Sequence, residues 1–190
     1  MSLGIAPVDP TPRRIVVVGT SGAGKTTLAT ELARLLDVPH FELDAFRHGP
    51  NWTETPDEIF REKISDALSG QAWVVDGNYS LARDIVWSKA TTVLWLDYPF
   101  NVTFWRLLRR TIVRYVKRTE LWNGNREDLK GVLFAKDSLF VWAFKRHWSR
   151  RKSYPLAFAQ PEYAHIEVMR FRSPRATDRW LRSLSGAATK

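Results

Sequence analysis

The stretch Gly19-Thr20-Ser21-Gly22-Ala23-Gly24-Lys25-Thr26 decides the reading of this chain. It fits G-x-x-x-x-G-K-[ST] at every fixed position, and its surroundings are those the pattern needs. Before it stands Ile15-Val16-Val17-Val18, an unbroken apolar run that reads as a strand buried on both faces. After it, Leu28, Leu32, Leu35 and Leu36 recur at helical spacing until Pro39 ends the segment. Glycines at such a strand-to-helix turn let backbone N–H groups point inward at phosphate oxygens. The start of the helix adds its partial positive charge. Lys25 then reaches the β- and γ-phosphates of a nucleoside triphosphate, and the Thr26 hydroxyl is a magnesium ligand. Residues Gly19 to Thr26, with Thr27 beside them, are the expected binding set for ATP and Mg2+.

Outward from this loop, strands and helices alternate. Phe41 to Leu43 reads as a second strand. Thr55 caps a helix with Pro56 at its first position and Glu58 placed for a capping box; the helix runs to about Leu68 and stops at Gly70. Trp73-Val74-Val75 makes a third strand, Thr92 to Leu96 a fourth, and His165 to Phe171 a fifth, with Thr177 to Leu184 a closing helix. The alternation predicts an α/β, three-layer P-loop NTPase fold around a five-stranded parallel sheet. Residues 13–184 form one domain, between tails at 1–12 and 185–190.

The chain has 190 residues, 44% of them apolar, which is one ordinary domain with a real core. The absence of cysteine excludes a disulfide scaffold and thiolate metal sites, and four scattered histidines leave no structural zinc site. No apolar run reaches the roughly 18 residues of a membrane span, so no membrane partner is expected. The N-terminus carries no secretory signal, and the expected compartment is the cytoplasm.

The net charge of +9 is concentrated in one place. Between Arg106 and Lys152 stand fourteen basic and four acidic residues, a balance of +10, and the remainder sums to −1. The segment 100–152 interrupts the strand–helix rhythm and looks helical, with a break at Asn123-Gly124-Asn125. Arg106, Arg109, Arg110, Arg114, Lys117 and Arg118 fall on one half of a helical wheel; Phe104, Leu108, Ile112 and Tyr115 fall on the other. It reads as a basic lid inserted in the domain and awaiting an anion.

Magnesium asks for a carboxylate. Asp76, directly after the third strand, leads, because strand ends at the carboxyl edge of a parallel sheet surround the ligand. Asp44 and Asp97 occupy equivalent edges, where a carboxylate also serves to cap a turn.

The loop, with Leu43-Asp44-Ala45-Phe46, Trp52-x-x-Thr55-Pro56, Val75-Asp76-Gly77-Asn78-Tyr79 and Leu96-Asp97-Tyr98-Pro99, resembles P-loop kinases of the adenylate-kinase type. The resemblance covers residues 14 to 184 and is closest to a bacterial group labelled adenylate-kinase-like or "DNA topology modulation" proteins. It implies that Asp76-Gly77 hold the magnesium shell and that Asp44 and Arg47 face the acceptor. It further implies that Arg106 and Arg110 open the lid and meet the donor nucleotide, with Ser173-Pro174-Arg175 near the donor base. Adenylate kinases follow Asp-Gly with Phe-Pro-Arg; here Asn78-Tyr79-Ser80 intervene, and the nearest arginine is Arg83.

The expected activity is transfer of the γ-phosphoryl group of ATP-Mg to a nucleotide or small molecule, with Lys25, Asp44, Asp76, Arg106 and Arg110 as the catalytic set. Asp44, Arg47, Asn78 and Arg83 form the acceptor side. A phosphate acceptor needs arginines such as Arg47, Arg61 and Arg83; a hydroxyl acceptor benefits from a base such as Asp44. The sequence leaves both open. A regulatory ATPase that grips nucleic acid through the basic segment, with Trp122, Trp142 and Trp148 stacking on bases, stands second. Trp52 reads as a packing residue before a stacking one, and His40 as structural.

Overall fold

The computed structural model describes residues 13–125 and 139–187. The expected N-terminal tail, the middle of the basic insertion and the last three residues lie outside the described residues. Five parallel strands form one sheet in the order β2-β3-β1-β4-β5. They are β1 (Arg14–Gly19), β2 (His40–Glu42), β3 (Trp73–Asp76), β4 (Thr92–Leu96) and β5 (Glu167–Phe171). The helices are α1 (Lys25–Leu36), α2 (Leu43–Arg47), α3 (Asp57–Ala67), α4 (Arg83–Lys89), α5 (Phe100–Val116), α6 (Leu139–Phe158) and α7 (Pro174–Ala187).

Period-two alternation along the central strands divides the core into two layers. Ile15 and Val17 pack with Leu28, Ala29 and Leu32 of α1 and with Trp180 of α7. Val16 and Val18 face the other way, with Phe60 and Ile64 of α3, Trp87 of α4 and Tyr154 of α6. Each fully buried leucine or isoleucine contributes about 1.5–3 kcal/mol to this sandwich. Register places Val17 opposite Asp76, and Asp76 opposite Glu42, so three strands deliver their carboxyl ends to one edge.

Several expectations shift in detail. The second strand is His40–Glu42, and Leu43 already belongs to the short helix α2. The capping box is not made: α3 starts at Asp57, and the Thr55 hydroxyl donates to the Phe46 carbonyl at 2.9 Å instead. The fifth strand starts at Glu167, and α7 runs from Pro174 past Leu184 to Ala187, into the expected tail. The break at Asn123 is present as a 3-10 turn, Trp122–Gly124, with Asn123 at φ +56°. The buried face of α5 differs most. It is Thr103, Leu107 and Thr111, whereas Ile112 and Tyr115 are exposed. Part of this face, Thr103 and Leu107, lies directly against Gly22 in the loop between β1 and α1.

Candidate active site

The loop between β1 and α1 has the backbone its glycines predict. Gly22 sits at φ +82°, and a Cβ there would collide with the Thr103 carbonyl of α5. Gly24 caps α1 at φ +91° with no side-chain cap, so first-turn N–H groups of α1 remain for an anion. The Lys25 ammonium has its pKa lowered, first by loss of solvation; Asp44 and Asp76 oppose the shift, and the Arg110 and Arg150 charges add to it. Those four charges all act on one lysine.

The magnesium candidates meet directly. The Thr26 hydroxyl donates to Asp76 Oδ2 at 2.7 Å, and Asp76 is only 4% exposed. Its other oxygen, Oδ1, lies 3.0 Å from His40 Nε2, and His40 Nδ1 lies 3.3 Å from the Thr30 hydroxyl. A hard oxygen pair of this kind suits Mg2+, which keeps most of its shell as water and substrate oxygens. Among the described residues no group of three His, Cys, Asp or Glu side chains is placed to hold a metal ion. His40, read as structural from sequence, is the residue that orients Asp76.

Asp97 is a different kind of carboxylate. It is 3% exposed and gripped by Arg151 at 2.8 Å and Arg170 at 2.5 Å. It anchors α6 to β4 and β5 and has no part in the loop.

On the acceptor side, Asp44 opens α2, and its Oδ1 accepts the Tyr79 hydroxyl at 2.6 Å. Burial, then the Asp44 charge, pushes the Tyr79 phenol far above its usual pKa, so it stays a donor. Two expected contacts, Arg47 and Asn78, line the cleft and are also held by partners within the protein. Arg47 pairs with Glu54 at 2.5 Å and Asp57 at 2.6 Å, holding the loop before α3. Asn78 receives the Gly19 N–H at 3.2 Å and returns its own amide N–H to the Gly19 carbonyl at 2.6 Å, tying β3 to the phosphate loop. Arg83 lies over the Trp87 ring at 4.9 Å. On the donor side, a Cβ on Gly24 would lie 3.7 Å from Arg106 Nη1, and Arg106 also sits 5.8 Å from the Tyr98 ring. Arg175 is exposed in the first turn of α7, and no hydrogen bond or ion pair joins it to the phosphate loop among the described residues.

These elements enclose a cleft of about 590 Å³. Thr20, Ser21 and Lys25 form one wall, Asp44, Asn78, Tyr79 and Arg83 another. The third wall comes from α6: Trp142, Arg146, Ser149, Arg150 and Ser153. Sequence reasoning misses that face, although its helical spacing is there to be found. Arg150 is held in place by the Asn78 carbonyl at 3.1 Å and the Tyr154 hydroxyl at 3.0 Å.

The 3-10 turn after α5 covers the far end of α2. The Trp122 indole donates to Glu42 Oε2 at 3.1 Å. Burial and the nearby Asp76 charge raise the Glu42 pKa, and this indole opposes the rise. The Asn125 side chain accepts the Trp52 N–H at 2.8 Å and donates to the Gly49 carbonyl at 2.9 Å. His48 packs edge-on to Trp52 at 5.4 Å and stacks on Trp122 at 6.2 Å, and Trp52 itself stays exposed.

No protein-family model matches the chain, and no curated protein matches it. Among solved structures it is similar to a shikimate kinase from Bacteroides thetaiotaomicron, at 18% identity over 93% of this chain and 94% of that one, with a TM-score of 0.50. It is likewise similar to a gluconokinase from Sinorhizobium meliloti 1021, at 16% identity over 94% of this chain and 93% of that one, with a TM-score of 0.52. The likeness is one of fold: the chain has the α/β architecture of P-loop kinases, with its phosphate loop and cleft at the carboxyl edge of the sheet.

Proposed function

We propose that the protein is an ATP-Mg-dependent phosphotransferase that moves the γ-phosphoryl group to a small-molecule or nucleotide acceptor. The observation that carries this reading is that Lys25 and Asp44 line one cleft, while Asp76, paired with Thr26, acts on the same lysine. The order of motifs along the chain supports a place near the adenylate-kinase-like, "DNA topology modulation" group.

Bound Mg2+ would be held by Thr26 and, directly or through water, by Asp76; it neutralises phosphate charge. The chain's own residues do the remaining work. Loop N–H groups from Gly19 to Thr27 and the Lys25 ammonium hold the triphosphate. His40 fixes Asp76 from behind. Arg106 and Arg110 reach over the loop from α5 and replace water around the migrating group with fixed positive charge. An acceptor oxygen bonds to the γ-phosphorus while the bond to the β–γ bridging oxygen breaks, and ADP leaves with that electron pair. Where the acceptor is a hydroxyl, Asp44 takes its proton and releases it to solvent.

The nucleic-acid reading loses support at Trp122, whose indole and ring are committed to Glu42 and His48 rather than open for base stacking. No helix among the described residues is long and apolar enough to cross a membrane. The test is calorimetry of ATP-Mg on the intact chain and on Lys25→Ala. Tight binding that the substitution abolishes, with the fold unchanged by circular dichroism, is the expected result. Equal affinity in both proteins contradicts the proposal.

A further inference from the structure

Several arginines of the chain are neutralised. Arg47 faces Glu54 and Asp57, Arg61 faces Asp84, and Arg151 and Arg170 share Asp97. Arg83, Arg146 and Arg150 are the contrast. All three line the cleft, and among the described residues none is paired with a carboxylate. Each lies against an aromatic ring instead: Arg83 over Trp87 at 4.9 Å, Arg146 over Trp142 at 5.9 Å, Arg150 over Tyr154 at 5.6 Å. A ring face orients a guanidinium without cancelling its charge. Three like charges aimed at one polar cleft repel one another until an anion lies between them. Arg150 is further fixed by the Asn78 carbonyl and the Tyr154 hydroxyl, so its geometry is set before any ligand arrives.

The same cleft also holds a carboxylate, Asp44. Asp44 acts on Lys25 electrostatically, and Tyr79 pins its Oδ1. A carboxylate beside the reacting centre repels an acceptor oxygen that is already anionic, but it suits a hydroxyl with a proton to give.

We infer that the acceptor is a small hydroxylated anion, its hydroxyl toward Asp44 and its carboxylate or phosphoryl group bound by Arg83, Arg146 and Arg150. The inference rests on the phosphotransferase reading and narrows it. The hydroxyl oxygen bonds to the γ-phosphorus of ATP, Asp44 takes the hydroxyl proton, and the bond to the β–γ bridging oxygen breaks to release ADP. The anionic group of the acceptor is unchanged and serves for binding.

The test follows transfer from ATP-Mg by ³¹P NMR with matched probes. Glycerate and gluconate supply a carboxylate, glycerol 3-phosphate and glucose 6-phosphate a phosphoryl group, glycerol and glucose neither, and AMP a phosphate acceptor. The expected result is a kcat/KM for one of the two anionic classes about 10²-fold above its neutral counterpart, as charge-assisted bidentate binding requires. The preferred class tells carboxylate from phosphoryl recognition. Arg83→Gln and Arg146→Gln each raise the acceptor KM about tenfold, with the KM for ATP unchanged. Equal use of neutral polyols, phosphorylation of AMP on its phosphate, no transfer to any anionic probe, or an acceptor KM indifferent to both substitutions overturns the inference. Failure of ATP-Mg to bind in calorimetry overturns the phosphotransferase reading itself, and is a separate outcome.

Discussion

Asp76 Oδ2 accepts the Thr26 hydroxyl at 2.7 Å, so the end of β3 and the start of α1 present two hard oxygens at one point. The pairing predicts how an Asp76→Asn variant behaves. The amide keeps a hydrogen bond to Thr26 but removes the negative charge that magnesium needs. Turnover falls about 10²–10³-fold, the scale of losing one electrostatic contributor to a transition state. Nucleotide affinity in EDTA changes little. Stopped-flow turnover beside calorimetry in EDTA separates the two effects.

Asp97 is the matched control. It stands at an equivalent strand end, but two arginines consume it. Asp97→Asn leaves both cations around a neutral group and lowers stability by roughly 1 kcal/mol, because the two arginines are about a third exposed and rehydrate. Urea unfolding shows that loss, while kcat per folded molecule stays near the wild-type value. A larger effect of Asp97→Asn than of Asp76→Asn on kcat contradicts the assignment of the metal site.

Asn125 fastens the turn after α5 to the loop at Gly49 and Trp52. Asn125→Ala removes three part-buried hydrogen bonds, so this contact opens more readily. Hydrogen exchange rises across 48–54 and 119–125, and the acceptor KM increases severalfold. ATP affinity is unaffected, because the phosphate loop makes none of these contacts. Unchanged exchange at 48–54 contradicts the proposed fastening.

His147 on α6 is 2% exposed, packs against Phe100 at 5.5 Å, and among the described residues has no hydrogen-bond partner on either ring nitrogen. Burial, reinforced by Arg151 and opposed by Asp97, holds its pKa below the ordinary 6.5. The folded state thus binds its proton later than the unfolded chain as pH falls. Stability from this group is complete above the unfolded value and declines as pH drops below it. His147→Leu removes that acid-side decline and, by replacing an unsatisfied polar group, adds about 1 kcal/mol at neutral pH. Thermal melts at pH 7.5 and 5.5 check both. An equal pH dependence in the two proteins contradicts the sign.

The sheet and the phosphate loop were legible in the sequence because their signals are local. The runs Ile15–Val18 and Thr92–Leu96 carry their burial in their own composition. Gly22 and Gly24 carry their backbone angles in the same way. What the sequence hides depends on partners distant along the chain. The five-residue helix α2 is too short to show a period. The packed face of α5 meets the Gly22 backbone through Thr103 and Leu107, a contact distant along the chain. Arg47 and Asn78 have the expected residue types at the expected places, but Glu54, Asp57 and Gly19 claim their side chains. Arg146 and Arg150 are visible in the sequence only as part of a charge excess; the cleft gives them a direction.

The most direct measurement of the central claim is the fate of the γ-phosphate of ATP-Mg incubated with the protein and a mixture of candidate acceptors. The account predicts that its ³¹P signal disappears in step with ADP formation and reappears as a new phosphoester, and that Lys25→Ala shows neither change. Release of the γ-phosphate only as inorganic phosphate, or undiminished transfer by Lys25→Ala, would contradict it.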